Sequence, residues 1–513
     1  DVNGYKIRSE TDLTNWFAVD LALNSRNAGE AEFIGGVRFT IPLELGRVLS
    51  RKSPLKITTP SSYIEDRVFE RVVRDIDVQS KSVTKKEDVP GIDMIYVDNT
   101  NTGTEDGTLE HPYNTLDEAF GSGRYSEGKY VYVFKGDGTN AGYTGNFPAL
   151  LDDVVLWGSG YNGGYRGLPT PGFPIIDGDG TGYVITLGNN NTVMGLQVQN
   201  SGEDYTGIRG INIDQASILY NNITNNGGGI YFGFGDGVPR SNFSIIGNTI
   251  SGNSGEGIGF FSNGDITATV SDNTVSDNDN VGIGFLSVGG NLNVSLLRNN
   301  VSDTRYTEGD FPGGIFLLAT GNEGVGGDIT ATISDNTVSG NDTIGIALFS
   351  FGSNINATLL RNNISDTKSL GGDIEGSIIL VAGENEGVGG GNLNATLSDN
   401  SITVNEVAGV ALVTAVGSTT ATLTGNTVTA NAGGGVIFIT DTGAPGSEIN
   451  LGDGNSGGNN SLYGNVGSDL QNDSGIDDLF AQGNWWGQAG GPITGQITGA
   501  NTVDSSNPLP SPP

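Results

Sequence analysis

The feature that most constrains this chain is that it repeats itself: ITATVSDNTVSDNDNVGIGFLS (266 to 287) returns 63 residues later as ITATISDNTVSGNDTIGIALFS (329 to 350). Units begin at Ser241, Ile266, Leu292, Ile329, Ile355, Leu393 and Thr419, with short spacings of 25 or 26 residues and long ones of 37 or 38 in alternation. A repeat of this length is one supersecondary unit that buries its apolar side only against its neighbours, so a single body can absorb most of 513 residues.

Within a unit, Ile266, Ala268 and Val270 alternate with Thr267 and Thr269, Asn273 and Val275 lead to Asn278, and Gly282-Ile283-Gly284-Phe285 follows. Helices need longer runs at a 3.6 period, so the pattern predicts three short strands joined by tight turns. Stacked coils then make three parallel sheets with an apolar interior and strands about 4.8 Å apart. Gly 84 and a hydrophobic content of 35% alone would suit disorder; the periodicity argues for a fold. Asn recurs at 221, 248, 273, 299, 336, 362, 400 and 426, and again five residues on at 226, 253, 278, 341, 405 and 431, with Thr304 and Thr367 in the long coils. Stacked amides bond from coil to coil, which predicts structural ladders.

These repeats resemble the right-handed parallel β-helices of pectate lyase-like, NosD-like and adhesin proteins. Residues 95 to 120 look like the entry to such a helix, VVLWGSG (154 to 160) and PIIDGDGTG (174 to 182) like its first coils, and GNWWG (483 to 487) like its last. The resemblance implies an all-β, right-handed, three-sheet solenoid over 93 to 487, with 488 to 513 as a Pro-rich tail.

Upstream, Phe17, Val19, Leu21 and Leu23, then Phe33, Val37, Phe39, Ile41 and Leu43, alternate as strands with one apolar face. Their length suits tilted outer-membrane strands, and a soluble hairpin is the plainer reading. Ser62 and Glu65 have capping-box spacing, predicting a helix over about 62 to 79. Strand pair, then SSYIEDRVFERVVRDIDVQ (61 to 79), then a long repetitive region resembles the inverse autotransporters of the intimin and invasin type. That resemblance implies that residues 1 to 50 are the end of an outer-membrane barrel belonging to a longer parent chain. Residues 51 to 92 would be the linker and the β-helix the passenger at the surface of a Gram-negative cell.

A net charge of -34 disfavours nucleic acid and anionic lipid, and the absence of cysteine excludes disulfide and thiolate chemistry. Arg298 and Arg361 are the tempting bases for a polysaccharide lyase, but in register they alternate with Asp272, Asp335 and Asp399, which predicts an ion-pair ladder. The lone His111 has no nucleophile in a recognisable motif and reads as structural. Asp177-Gly178-Asp179-Gly180 begins like a calcium loop but has Gly188 where the twelfth-position Glu belongs, so only adventitious calcium is expected and no cofactor.

Two outward faces remain. On the first strand, Thr267/Thr269 and their counterparts are flat and uncharged; such Thr arrays resemble ice-binding solenoids, and Thr is also a good strand residue. On the third strand, with Ile283 and Phe285 inward, the outward positions are Phe261, Leu286, Leu318, Phe349, Val381, Val413 and Ile439, joined by Phe316, Ile379 and Ile437. This apolar stripe is the candidate binding face, unless the insertions at 321 to 328 and 383 to 392 fold over it. The function expected is cell-surface adhesion, the partner being a protein or glycan on another cell, or a second copy. The alternatives are a polysaccharide lyase or glycoside hydrolase, and a self-assembling structural protein.

Overall fold

A computed structural model describes the strands at 5 to 14, 17 to 25 and 31 to 39 and the chain from residue 93, apart from 162–171, 236, 308–312, 322–326, 371–375, 385–389, 441–446, 454–457 and 477–478. The expected helix at 62 to 79, and residues 322–326 and 385–389 of the two insertions that could cover the stripe, lie outside the described residues. The chain forms two units, 1 to 89 and 90 to 513. In the first, Tyr5–Thr14, Phe17–Ser25 and Ala31–Phe39 make an antiparallel meander, with Leu21 opposite Gly35 and Leu23 opposite Phe33. The alternating sequence makes strands here, three among the described residues of this unit.

The second unit is a right-handed parallel β-helix of three sheets with 15, 11 and 12 strands among the described residues, called here first, second and third in the order the chain meets them within a coil. In one coil Ile266–Ser271 joins the first sheet, Thr274–Ser276 the second and Val281–Val288 the third. The register is that of the repeat: Ile266 pairs with Leu292, Leu292 with Ile329, Ile329 with Ile355, Ile355 with Leu393 and Leu393 with Thr419. Only the first unit, at Ser241, is irregular, with a bulge between Arg240 and Phe243.

Inward side chains make one continuous core. Val270, Val275, Ile283 and Phe285 are buried in one coil, and Phe260 and Phe285 stack with centroids 4.5 Å apart. Two short turns per coil are closed by a residue with left-handed φ. Asp272, Arg298, Asp335, Arg361 and Asp399 serve the first; Asp277, Asp303, Asp366 and Val404 serve the second. Val404 is the misfit, a β-branched residue at φ 58° and 60% exposed, where other coils use Gly252 and Gly340. Replacing Val404 by Gly is expected to stabilise the chain by about 0.5–1 kcal/mol, because relief of the left-handed strain exceeds the added backbone entropy and no packing is lost. Thermal denaturation checks this, and a lowered melting temperature would contradict it.

Behind each of these residues stands a ladder amide. The Asn248 backbone N–H and side-chain Nδ2 donate to Asn273 Oδ1 at 2.9 and 3.0 Å, while Nδ2 also donates to the Ile218 carbonyl at 2.8 Å. The same pattern runs through Asn299, Asn336, Asn362, Asn400 and Asn426, then on to Asn460 and Asn484. In the second ladder Thr304 and Thr367 donate their backbone N–H to Asn341 and Asn405 but leave their own hydroxyls buried and unpaired.

The entry contains a helix, Leu116–Gly121, which the strand-based reading passed over; Thr115 and Glu118 form its capping box and Leu116 and Ala119 are buried. At the other end the coils run past residue 487. Ile497–Thr498 pairs with Leu470 and Gln471, and Val503–Asp504 with Leu479 and Phe480, so the segment from 488 is not all tail. Backbone pairing accounts for this: each strand lies on the open edge of the strand before it.

Candidate functional site

The outer surface of the third sheet is set by strand alternation. One row runs Arg209, Tyr231, Gly259, Gly284, Phe316, Ala347, Ile379, Ala411, Ile437 across successive coils. Two residues along lies Gly233, Phe261, Leu286, Leu318, Phe349, Val381, Val413, Ile439. All ten stripe residues therefore point outward, but outward is not exposed. Phe316, Phe349 and Ile379 are buried with Val281, Ile344 and Ala347 in a satellite core, against which Leu318, Phe351 and Val381 pack half-buried. Leu286, Val413 and Ile437 are also half-buried; only the ends, Phe261 at 38% and Ile439 at 44%, are open. Of the two readings left open by the sequence, the covered one describes the middle of the stripe, a second core, and the exposed one only its ends.

The sheet opens where the stripe ends. Gly259 and Gly284 follow Tyr231 in the first row, and their missing side chains leave a recess of about 160 Å³. Phe261, Leu286 and Val281 line it together with Glu256 and Tyr231. Side chains here would crowd the recess: a Cβ on Gly259 would lie 2.9 Å from Glu256 Cγ, and one on Gly284 3.0 Å from Val281 Cγ1. Through Tyr231, Glu256 and Asn280 the recess continues into a groove of about 500 Å³ that reaches Tyr183, Tyr205, Arg209, Glu203 and Asp204. The Arg209 guanidinium lies 4.1 Å above the Tyr183 ring, and Tyr205 meets Tyr183 edge-on at 4.7 Å.

Burial in the recess pushes the Glu256 carboxyl above its ordinary value. The Tyr231 hydroxyl is raised chiefly by burial and next by the Glu256 charge, with Arg209 opposing. The result is an amphipathic channel: three tyrosines, one guanidinium, a carboxyl raised by burial, and an apolar end at Phe261 and Leu286. Because a raised carboxyl stabilises the fold below its unfolded value of 4.5 and withdraws that stability as pH rises through the folded value, Glu256→Gln is expected to raise the melting temperature at pH 7 and leave it unchanged near pH 4. Melting curves at both pH values check this; an equal shift at both would contradict it.

Arg298 chelates Asp272 at 2.7 and 2.8 Å and Arg361 chelates Asp335 likewise, each binding the carboxylate of the preceding coil only. Arg305–Asp279 at 3.0 Å and Lys368–Asp342 at 3.9 Å form a second row of pairs that sequence alignment passed over. The Asp177 carboxylate, 4% exposed, is taken up by Gln199 Nε2, Asn200 Nδ2 and the Asp179 N–H, so the calcium-loop resemblance is a hydrogen-bonded turn. Neither nitrogen of His111 has a partner among the described residues. Among them, too, no cluster of three His, Asp or Glu could hold a metal, and no helix is long and apolar enough to cross a membrane.

Sequence reasoning found Phe261 and Leu286 but not Arg209, Tyr231 and Glu256. The repeat template was anchored at residue 241, and these lie in coils before it or in a turn. The available signal was Arg209 itself, one of few cations in the repeat region without an Asp one coil away.

Fold and groove together define a β-helix with an open, aromatic, acid-bearing channel on one sheet. No family model matches the chain, and neither does any curated protein. Two solved structures of the periplasmic alginate epimerase AlgG do. A double mutant is 14% identical over 74% of this chain and 77% of its own, with a TM-score of 0.38; a single mutant is 13% identical over 64% and 78%, at 0.33. Neither alignment transfers a residue role to this chain.

Proposed function

We propose that the chain is a cell-surface interaction protein whose third sheet binds a polysaccharide in the Arg209–Tyr231–Glu256 groove. The observation that carries the reading is the union of three tyrosines, one guanidinium and one half-buried carboxyl along a channel open to solvent. Aromatic faces stack on pyranose rings, and the polar groups serve hydroxyls. With Glu203 and Asp204 on the rim and a net charge of -34, the favoured chain is neutral or sparsely charged. Display on an inverse autotransporter barrel of a longer parent chain remains part of this proposal and rests on the resemblance of residues 61 to 79.

The raised Glu256 carboxyl specifically favours a second reading, catalysis on the bound glycan, with Glu256 as the acid. A panel of neutral and acidic polysaccharides separates the readings. Binding that Arg209→Ala weakens at least tenfold, with no new reducing or unsaturated ends, supports the interaction protein. Product release abolished by Glu256→Gln, with binding retained, establishes the enzyme. No binding to any glycan refutes both.

A further inference from the structure

A second aromatic site lies on the same coils, at the turn between the first and second sheets. That turn takes a left-handed residue in coil after coil: Gly195 at φ 68°, Gly247 at φ 68° and Asp272 at φ 59°. Between the two glycines stands Tyr220 at φ 53°. A bulky side chain rarely holds this conformation, and such outliers concentrate at functional sites.

The tyrosine is accommodated by its neighbours. Its ring stacks on Tyr161, centroids 5.0 Å apart and planes 22° off parallel. A Cβ at Gly247 would fall 2.5 Å from the Tyr220 ring, and one at Gly195 2.6 Å from Tyr161 Cβ. Both flanking coils therefore leave out side chains where the two rings lie. Phe173 at 38% and Tyr220 at 43% are exposed, and with Asn222 and Thr249 they line an open groove of about 530 Å³. Asn222 and Thr249 are partners in adjacent strands of the second sheet. Neither the Asn222 amide nor the Thr249 hydroxyl has a hydrogen-bond partner among the described residues. Downstream the same turn is occupied by the Arg298–Asp272 and Arg361–Asp335 pairs, which satisfy each other.

We propose that Tyr161, Tyr220, Phe173, Asn222 and Thr249 form a second binding site, for an uncharged sugar. Flat aromatic faces pack against the C–H faces of a pyranose, while a free amide and a free hydroxyl offer donors and acceptors to its hydroxyls. Among the described residues no cation lines the groove, and a net charge of -34 turns away anions. This site stands on its own observations and does not need the third-sheet groove.

The test uses the full chain carrying Arg209→Ala and Tyr231→Ala, which silence the third-sheet groove. Neutral gluco-, galacto- and manno-oligosaccharides are titrated into it calorimetrically. Retained binding is expected, weakened at least tenfold by adding Tyr220→Gly, while the melting temperature holds or rises because left-handed strain is released. Asn222→Ala, which removes no internal bond, should weaken binding as well. Absence of saccharide binding in the groove-silenced chain overturns the proposal. So does binding that survives both Tyr220→Gly and Asn222→Ala; a lowered melting temperature with Tyr220→Gly would then make the stacked pair structural. Failure of the third-sheet reading would appear separately, as equal binding by the unmodified and groove-silenced chains.

Discussion

Replacing Asn336 by alanine is expected to destabilise the solenoid by about 2–4 kcal/mol, because one side chain closes four hydrogen bonds in a dry interior. Its Oδ1 accepts from the Asn299 backbone N–H at 2.8 Å and Asn299 Nδ2 at 3.1 Å; its Nδ2 donates to the Leu296 carbonyl and Asn362 Oδ1, both at 2.9 Å. Alanine leaves those donors and acceptors buried and unpaired, and a side chain that is 1% exposed cannot be replaced by bulk water. Aspartate does not rescue, since a carboxylate accepts but cannot donate. The outward Asn356, whose side chain among the described residues accepts one exposed hydrogen bond from Asn394 Nδ2 at 2.9 Å, is the control and should change stability by no more than about 0.5 kcal/mol. Urea denaturation measures both, and hydrogen exchange should show the loss confined to coils adjoining Asn336, because a solenoid couples nearest neighbours. Equal effects of the two substitutions would contradict the ladder account.

The second large effect concerns the stripe. Phe349→Ala should cost about 3–5 kcal/mol although Phe349 lies on the outer side of the sheet, because its ring is 5% exposed and stacks on Phe316 at 5.3 Å. Ile439→Ala occupies the same row three coils on, at 44% exposure, and should cost no more than about 1 kcal/mol. If the two substitutions cost the same, the outer cluster around Phe316, Phe349 and Ile379 is not a core.

The sequence carried the coil well and the site poorly, for physical reasons. Strand alternation and the coil register follow from local pattern, so the inward and outward faces of Ile283 and Leu286 were readable from their spacing. The Asn ladders were readable because the same residue must recur wherever an amide bonds to its own kind. Burial of the outward Phe349 was not, because a second layer over a sheet leaves no mark on the period of the strand beneath. The Thr115–Glu118 capping box was present but sat in a segment read only as the entry to the β-helix. Arg209, Tyr231 and Glu256 come from different coils, one of them from a turn, and a groove made by what Gly259 and Gly284 lack is a property of stacking rather than of any motif. Arg298 and Arg361 show the converse: register alone showed that an Asp stands beside each, and the pairs are there.

The central claim is that a polysaccharide binds along the Arg209–Tyr231–Glu256 groove. Hydrogen exchange of the full chain with and without the tightest-binding polysaccharide of the panel tests it most directly. Protection is expected over the strands Thr206–Ile211 and Gly228–Phe234 and through the turn at Glu256 to Phe261, with the strands Ile355–Leu360 and Leu393–Ser398 of the first sheet unchanged. Protection absent from those segments, or spread evenly over the coils, would contradict it.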